Sequence, residues 1–234
     1  MPSKLILFSG ASSVGKTAVI SALLPYFQKR QKRPLVCKMD CIPSDDDKIF
    51  QKLGVPAITG LSRDVCPDHF LVSNLPELWA FAGQKGADLL LIETAGLCHR
   101  CSPATVHSIV GCVLDCMASA RTSGRLGPMI TQADFLVLTK ADMVSQAELE
   151  ILRWRLKELN PEAVVFPVDG LTGCGSELLG SWLLSRPDCA SFEGDVLRHP
   201  MPAGVCSYCV GEKRVGAAFQ QGVVEKIMIQ EDAI

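Results

Sequence analysis

Gly10-Ala11-Ser12-Ser13-Val14-Gly15-Lys16-Thr17 spells G-x-x-x-x-G-K-[ST], and the residues on either side decide how that spelling is read. The apolar run Leu5-Ile6-Leu7-Phe8 precedes it, and a helix-favouring run, Thr17 to Tyr26, follows. Strand, glycine loop and helix in that order make an anion cradle. Loop and helix N-terminal N–H groups converge on phosphate oxygens, Lys16 neutralises them, and the Thr17 hydroxyl is placed to ligate Mg²⁺. The stretch predicts a phosphate-binding loop and a bound nucleoside triphosphate.

Apolar runs and helical periods alternate outward from it. Strands are expected at Leu5–Ser9, Leu35–Asp40, Leu89–Glu93, Ile109–Asp115, Phe135–Thr139 and Val164–Val168. Helices are expected at Thr17–Gln28, Asp46–Leu53, Leu75–Gln84, Gln146–Leu159 and Glu177–Leu184. Nearly continuous apolar strands with helices between them predict an α/β fold of the P-loop NTPase type. Its mostly parallel sheet is covered by helices on both faces, with the nucleotide at the carboxyl ends of the strands. From Pro187 the character changes: Pro200, Pro202 and Gly204 lead to Cys206-x-x-Cys209 and a last strand-like run, Val223–Ile229. The expected division is a P-loop domain over 1–186 and a small cysteine-containing tail subdomain over 187–234.

With 234 residues, 48% of them hydrophobic, the chain can bury one sizeable core. A net charge of −2 argues against nucleic acid as partner. No run approaches the roughly 18 apolar residues of a membrane span, and Met-Pro-Ser-Lys before a strand does not read as a signal peptide. A cytoplasmic protein is expected. Its eleven cysteines then mean packing, metal ligation or redox chemistry rather than a disulfide framework. Cys37, Cys112 and Cys116 lie in apolar runs and read as small buried hydrophobes; Cys174 and Cys189 suggest no chemistry, and Cys41, near the phosphate loop, stays open. His107 reads as a structural histidine. Cys66 with His69, and Cys98-His99-x-Cys101, pair thiolate with imidazole at spacings that suit Zn²⁺ or Ni²⁺. Thiolates alone could hold Cu(I) or part of an Fe–S cluster. Cys206 and Cys209 form a possible second site: half of a zinc or cluster site, a redox dithiol, or a donor pair feeding the first site.

Thr139-Lys140-Ala141-Asp142 ends a strand with the [NT]-K-x-D pattern that reads guanine. The aspartate accepts from the base's N1–H and exocyclic amine, which adenine cannot match. Val168-Asp169-Gly170-Leu171-Thr172-Gly173 follows as a loop of the kind that packs on guanine, Asp169 and Gly170 standing where Ser and Ala are usual. GTP is favoured over ATP.

This order of motifs resembles the metal-centre-assembly GTPases of the SIMIBI class: the urease accessory GTPase, the hydrogenase maturation nickel GTPase and the CobW-type metallochaperones. Cys37-Lys38-Met39-Asp40 with Asp45-Asp46-Asp47 is similar to the urease protein's T-N-D and later E-D. Cys66-Pro67-Asp68-His69 resembles its C-P-H nickel motif with one residue inserted. Glu93-Thr94-Ala95-Gly96-Leu97 resembles the E-x-x-G segment that senses the γ-phosphate and is closest to the CobW-type E-T-x-G-L. Gly124 to Asp134 resembles the loop before the guanine-binding strand. The resemblance implies a slow GTPase with Lys16, Asp40 and Glu93 in catalysis and Mg²⁺ on Thr17, Asp40 and Glu93. It implies a transition metal, nickel or zinc, on Cys66, His69, Cys98, His99 and Cys101 at the interface of a GTP-dependent homodimer, for delivery to a client metalloenzyme or its maturation complex. The alternative is a chaperone that loads a corrinoid or iron–sulfur cofactor. A small-molecule kinase is disfavoured because no arginine-rich lid segment is present.

Overall fold

The computed structural model describes residues 1–43, 45–98, 100–118, 123–189, 191–192, 194–200, 211–219 and 225–228. His99, Cys206, Cys209 and residues 223, 224 and 229 of the expected strand Val223–Ile229 lie outside them, and the described residues 225–228 do not form the expected strand. Seven parallel strands form one sheet: β1 Lys4–Ser9, β2 Pro34–Asp40, β3 Ala57–Leu61, β4 Leu89–Glu93, β5 Ile109–Asp115, β6 Phe135–Thr139 and β7 Val164–Pro167, in the order β3-β2-β4-β1-β5-β6-β7. Among the described residues five helices of seven residues or more cover it, α1 Lys16–Lys29, α2 Asp46–Lys52, α3 Pro67–Gln84, α4 Gln146–Leu159 and α5 Ser176–Ser185, with a four-residue helical turn at Pro128–Thr131 beside them.

The strands are mostly apolar because both faces are covered, edge strand β7 excepted, where Phe166 is buried and Val164 exposed. Leu5 and Leu7 of β1 face one layer with Leu35, Cys37, Leu90 and Ile92, against Leu71, Leu75, Leu78 and Trp79 of α3. Their neighbours Ile6 and Phe8 face the other, against Val19, Ile20, Leu23 and Phe27 of α1 and Leu179 and Leu183 of α5. Farther along, Leu136 and Leu138 of β6 meet Leu149, Leu152 and Leu156 of α4. Among the described residues no helix is long and apolar enough to cross a membrane.

Two differences from the sequence expectation have physical causes. Strand β3 was not expected, since Gly54, Pro56 and Gly60 punctuate it; it is an edge strand, and at Gly60 a Cβ would lie 2.6 Å from the Met39 sulfur of β2. Helix α3 begins at Pro67, well before the expected Leu75, and runs through Pro76. Proline there has no N–H for the Val72 carbonyl. That carbonyl instead accepts the Gly216 N–H at 3.0 Å, so a distant segment completes the ladder.

Where it is described, the stretch after Pro187 packs on the α3 face of the same core. Cys189, Phe192, Leu197 and Val215 join that layer, and Phe192 meets Trp79 edge-on with ring centroids 4.7 Å apart. Arg198 grips Asp134 through two 2.9 Å hydrogen bonds and also donates to the Thr105, Ser108 and Gln132 carbonyls. Burial of this kind makes Phe192→Ala cost about 3 kcal/mol of unfolding free energy. Denaturant titration checks it, and a variant as stable as the parent would show the tail folding apart from the sheet.

Candidate functional site

The phosphate loop leaves β1 with backbone angles few residues tolerate. Gly10 sits at φ +132°, where a Cβ would lie 2.3 Å from the Val113 carbonyl oxygen; Ser13 at +62° and Gly15 at +96° complete the turn. The buried Lys16 ammonium donates back across it to the Gly10 (3.1 Å) and Ala11 (2.8 Å) carbonyls. Burial lowers its pKa, and Glu93 acts in the opposite sense. The loop is tied down on both sides. Thr139 Oγ1 at the end of β6 donates to the Val14 carbonyl at 2.8 Å, with the Leu114 carbonyl 3.3 Å away. On the β4 side Gly96, at φ +74°, comes so close that a Cβ would lie 2.0 Å from the Gly10 oxygen and 2.9 Å from Lys16 Nζ.

A cleft of about 340 Å³ opens beside Ser12, Ser13, Lys16 and Thr17 and is lined by Lys38, Asp40, Asp46 and Glu93. Thr17 Oγ1 donates to Glu93, 2.9 and 3.0 Å from its two oxygens. Burial raises the Glu93 pKa while Lys38 and Thr17 oppose the shift. Of the three acids in 45–47 only Asp46 lines the cleft; Asp45 pairs with Lys48. One hydroxyl and three carboxylates are hard oxygen donors, the set that Mg²⁺ prefers, so Thr17, Asp40 and Glu93 fit that ion and Asp46 adds to them. Lys38 was not expected here. Its buried ammonium bonds Asp46 and lies 3.8 Å from Glu93 Oε1 and 3.9 Å from Asp40 Oδ2. The available signal was a lysine inside an otherwise apolar strand.

At the far end of the site Lys140, in left-handed conformation, lays its ammonium on Asp115 at 2.5 Å, and Asp142 stands exposed on the 3₁₀ turn Ala141–Met143. Asp115 also went unread in the sequence; it ends β5 directly across from Thr139. In the 169–171 loop Asp169 shapes its own turn, accepting from the Leu171 N–H (2.8 Å) and the Thr172 hydroxyl (2.5 Å). Gly170 replaces alanine because a Cβ would lie 2.6 Å from that of Ala18 on α1, and Leu171 projects into solvent, 96% exposed.

The β4 loop that touches the phosphate loop at Gly96 continues into a thiol cluster. Ligand atoms of Cys66, Asp68 and Cys101 lie within 4.8 Å of one another. Cys101 Sγ is 3.4 Å from Asp68 Oδ2 and 3.5 Å from Cys98 Sγ. Cys66 caps α3 and Asp68 is in its first turn, so the helix start aims both at the β4 loop. The Cys101 hydrogen bond, with backbone N–H groups of His69 and Asp68, holds the Cys66 thiol well below its ordinary pKa. That same pairing and burial push Cys101 up, and burial beside Cys66 pushes Asp68 up to about 7. His69, expected as a ligand, is not in this set: one residue farther round the turn it is buried among the helix contacts, and Asp68 stands in the cluster instead.

Residues 4–167, well over half the chain, match the family described as CobW/HypB/UreG, nucleotide-binding domain. The chain is 41% identical over 224 residues to the uncharacterized protein MJ0120 of Methanocaldococcus jannaschii, covering 96% of each. It is 29% identical to urease accessory protein UreG 2 of Streptomyces griseus, covering 76% of this chain and 84% of that one. HypB from Helicobacter pylori in complex with nickel shares the fold, with a TM-score of 0.62 at 19% identity over 77% of this chain and 85% of that one. The geometry sets a first test of the nucleotide site. Lys16→Ala removes the only lysine on the phosphate loop and is expected to cut GTP affinity at least about 100-fold, while Asp142→Asn lowers the GTP-over-ATP preference by about tenfold or more. Calorimetric titration with both nucleotides reads each, and a parent protein that prefers ATP would overturn the assignment of the base loop.

Proposed function

The chain belongs to the CobW/HypB/UreG nucleotide-binding family, and on that footing we propose that it is a GTP-hydrolysing metallochaperone. It holds a transition metal at the Cys66–Asp68–Cys98–Cys101 cluster under nucleotide control and delivers it to a client metalloenzyme. One observation carries this reading: the backbone that touches Gly10 and Lys16 at Gly96 reaches the first cluster thiol two residues later, at Cys98.

GTP lies along the 10–17 loop, its phosphates on the loop N–H groups and Lys16. Its base is read by Asp142, with Lys140 held in place by Asp115 and Leu171 covering one face. Mg²⁺ on Thr17, Asp40, Asp46 and Glu93 supplies charge neutralisation of the β- and γ-phosphates. Asp40 orients the attacking water. Turnover is slow, since among the described residues neither arginine nor glutamine lines the cleft. Arrival of the γ-phosphate at Lys16 presses on Gly96, and the 96–101 loop carries that displacement to the thiols. Loss of the γ-phosphate loosens the loop and lets the ion go, an order–disorder switch of known type.

Sulfur donors with one carboxylate suit nickel or zinc. The urease accessory relative and the HypB complexed with nickel support nickel. Cys98-x-x-Cys101 beside Cys66 also favours a second reading, in which the same thiols hold part of an iron–sulfur cluster being loaded onto a client. His69 and His99 complete the proposed ligand set in other nucleotide states, and Cys206 and Cys209 serve as a separate donor pair. Apolar Ile42 and Leu97, 66% and 57% exposed after β2 and β4, support a GTP-dependent homodimer that closes over this face. Free thiols throughout the described cysteines fit a reducing cytoplasm.

Elemental analysis of anaerobically purified protein, with and without a non-hydrolysable GTP analogue, tests the reading. Nickel or zinc near one per chain whose affinity changes about tenfold or more with nucleotide is the expected result; iron with sulfide selects the cluster-loading reading. Cys66→Ala abolishes that metal and leaves GTP affinity within about twofold, because the thiol touches no phosphate-loop residue. Metal binding that ignores nucleotide overturns the chaperone mechanism. Light scattering without ligand, with metal, with GTP analogue and with both is expected to give the largest dimer fraction with GTP analogue and metal together.

A further inference from the structure

We propose that the Lys38 ammonium holds the place of the divalent cation in the nucleotide-free site and gives it up when Mg²⁺ arrives with the nucleotide. The inference rests on the GTPase reading above and adds to it a residue that competes with the ion.

Lys38 sits on β2, a strand buried almost from end to end, and its side chain is buried with it. Its ammonium turns to the three carboxylates of the cleft: it bonds Asp46, with Glu93 Oε1 at 3.8 Å and Asp40 Oδ2 at 3.9 Å. Glu93 is the acid whose oxygens accept the Thr17 hydroxyl, so the lysine and the P-loop threonine meet on one carboxylate. Lys16, the other cation lining the cleft, is engaged elsewhere, on the Gly10 and Ala11 carbonyls. Three carboxylates around one ammonium leave an excess of negative charge that is costly in a partly buried site. A divalent ion relieves that excess better than a lysine does, and it uses the same oxygens. The two cations repel, so both cannot keep hold of Glu93 and Asp46. Lysine suits the part: a point charge on a long stem can leave the carboxylates and turn to phosphate oxygens a few ångströms away, where arginine's flat fork would be held by its two-pronged geometry.

The consequence is a magnesium requirement set partly by Lys38. The test is a Mg²⁺ titration of the full chain with a fluorescent, non-hydrolysable methylanthraniloyl-GTP analogue, read as nucleotide fluorescence and not as turnover. Removing the competitor in Lys38→Met lowers the half-saturating Mg²⁺ concentration about tenfold, whereas Lys38→Arg, which keeps the charge and grips the carboxylates at two points, leaves it at or above the parent's value. Lys38→Gln retains a donor for Asp46 and is read in place of Lys38→Met if that variant does not fold; the same fall is expected. A midpoint unmoved or raised in the neutral variants, with the parent binding the analogue normally, overturns the role of Lys38 and leaves the GTPase reading intact. A parent protein that binds no GTP analogue at any Mg²⁺ concentration overturns both.

Discussion

A side chain at position 96 would begin where the Gly10 carbonyl and the Lys16 ammonium already are. This contact of bare backbone on backbone fixes the spacing between the loop after β1 and the loop after β4, and much of the site depends on that spacing. It exists because β4 pairs with β1 in parallel register, Phe8 opposite Glu93, so the two strands end level and their loops leave side by side. The same register sets Glu93 under Thr17. On the other flank β5 continues the alignment to β6, Asp115 opposite Thr139, which brings the Thr139 hydroxyl under the phosphate loop and Asp115 under Lys140. Parallel pairing thus converts four strand ends into one site, the general reason ligands of open α/β sheets collect there.

The electrostatics of that site are unbalanced in a way that suits a charged ligand. Lys16 is desolvated, and its hydrogen bonds run only to neutral carbonyls, which compensate a buried charge poorly. Asp40, Asp46 and Glu93 share a single lysine at ion-pair distance, with Lys16 attracting Glu93 from farther off. An unpaired buried charge is a standing cost to the folded chain, and a partner of opposite sign recovers it on binding. Phosphate meets the first imbalance and a divalent ion the second, so the site gains most when the two arrive together.

Much of this was legible in the sequence. Six strands and the order of the motifs follow from apolar runs alone, because a strand buried on both faces needs no polar alternation to announce it. The phosphate loop, Glu93, Gly96 and the 139–142 segment came with spacing as well as composition. What escaped notice did so for local reasons. Ala57–Leu61 is an edge strand whose glycine answers to Met39, a residue eighteen positions before the strand begins. The first two turns of α3 were hidden by Pro76, whose lost hydrogen bond is repaired by Gly216 far along the chain. Lys38 and Asp115 are ordinary residues until the sheet sets each beside its partner. Cys66-Pro67-Asp68-His69 pointed to the histidine through its likeness to a C-P-H motif with one residue inserted; with a proline at the first helical position, Asp68 is the residue that lies against Cys101.

That substitution bears on how an ion would leave. A cluster of thiolates alone binds borderline and soft ions tightly, and delivery to another protein then needs a strong thiol acceptor. Asp68 brings a harder donor into the set, and burial makes its carboxyl reluctant to ionise, as its pKa near 7 reflects. A bound cation reverses that preference by neutralising the carboxylate, so ion and deprotonated Asp68 stabilise each other and are lost together. Cys101 couples the two halves, since its sulfur lies 3.4 Å from Asp68 and 3.5 Å from Cys98. A shift of the 96–101 loop therefore moves two sulfurs relative to a carboxylate and a thiol fixed on α3. In the proposed mechanism, retention would depend on whether two elements, a helix start and a strand-end loop, are held at one particular separation, and the Gly96 contact would make that separation answer to the nucleotide.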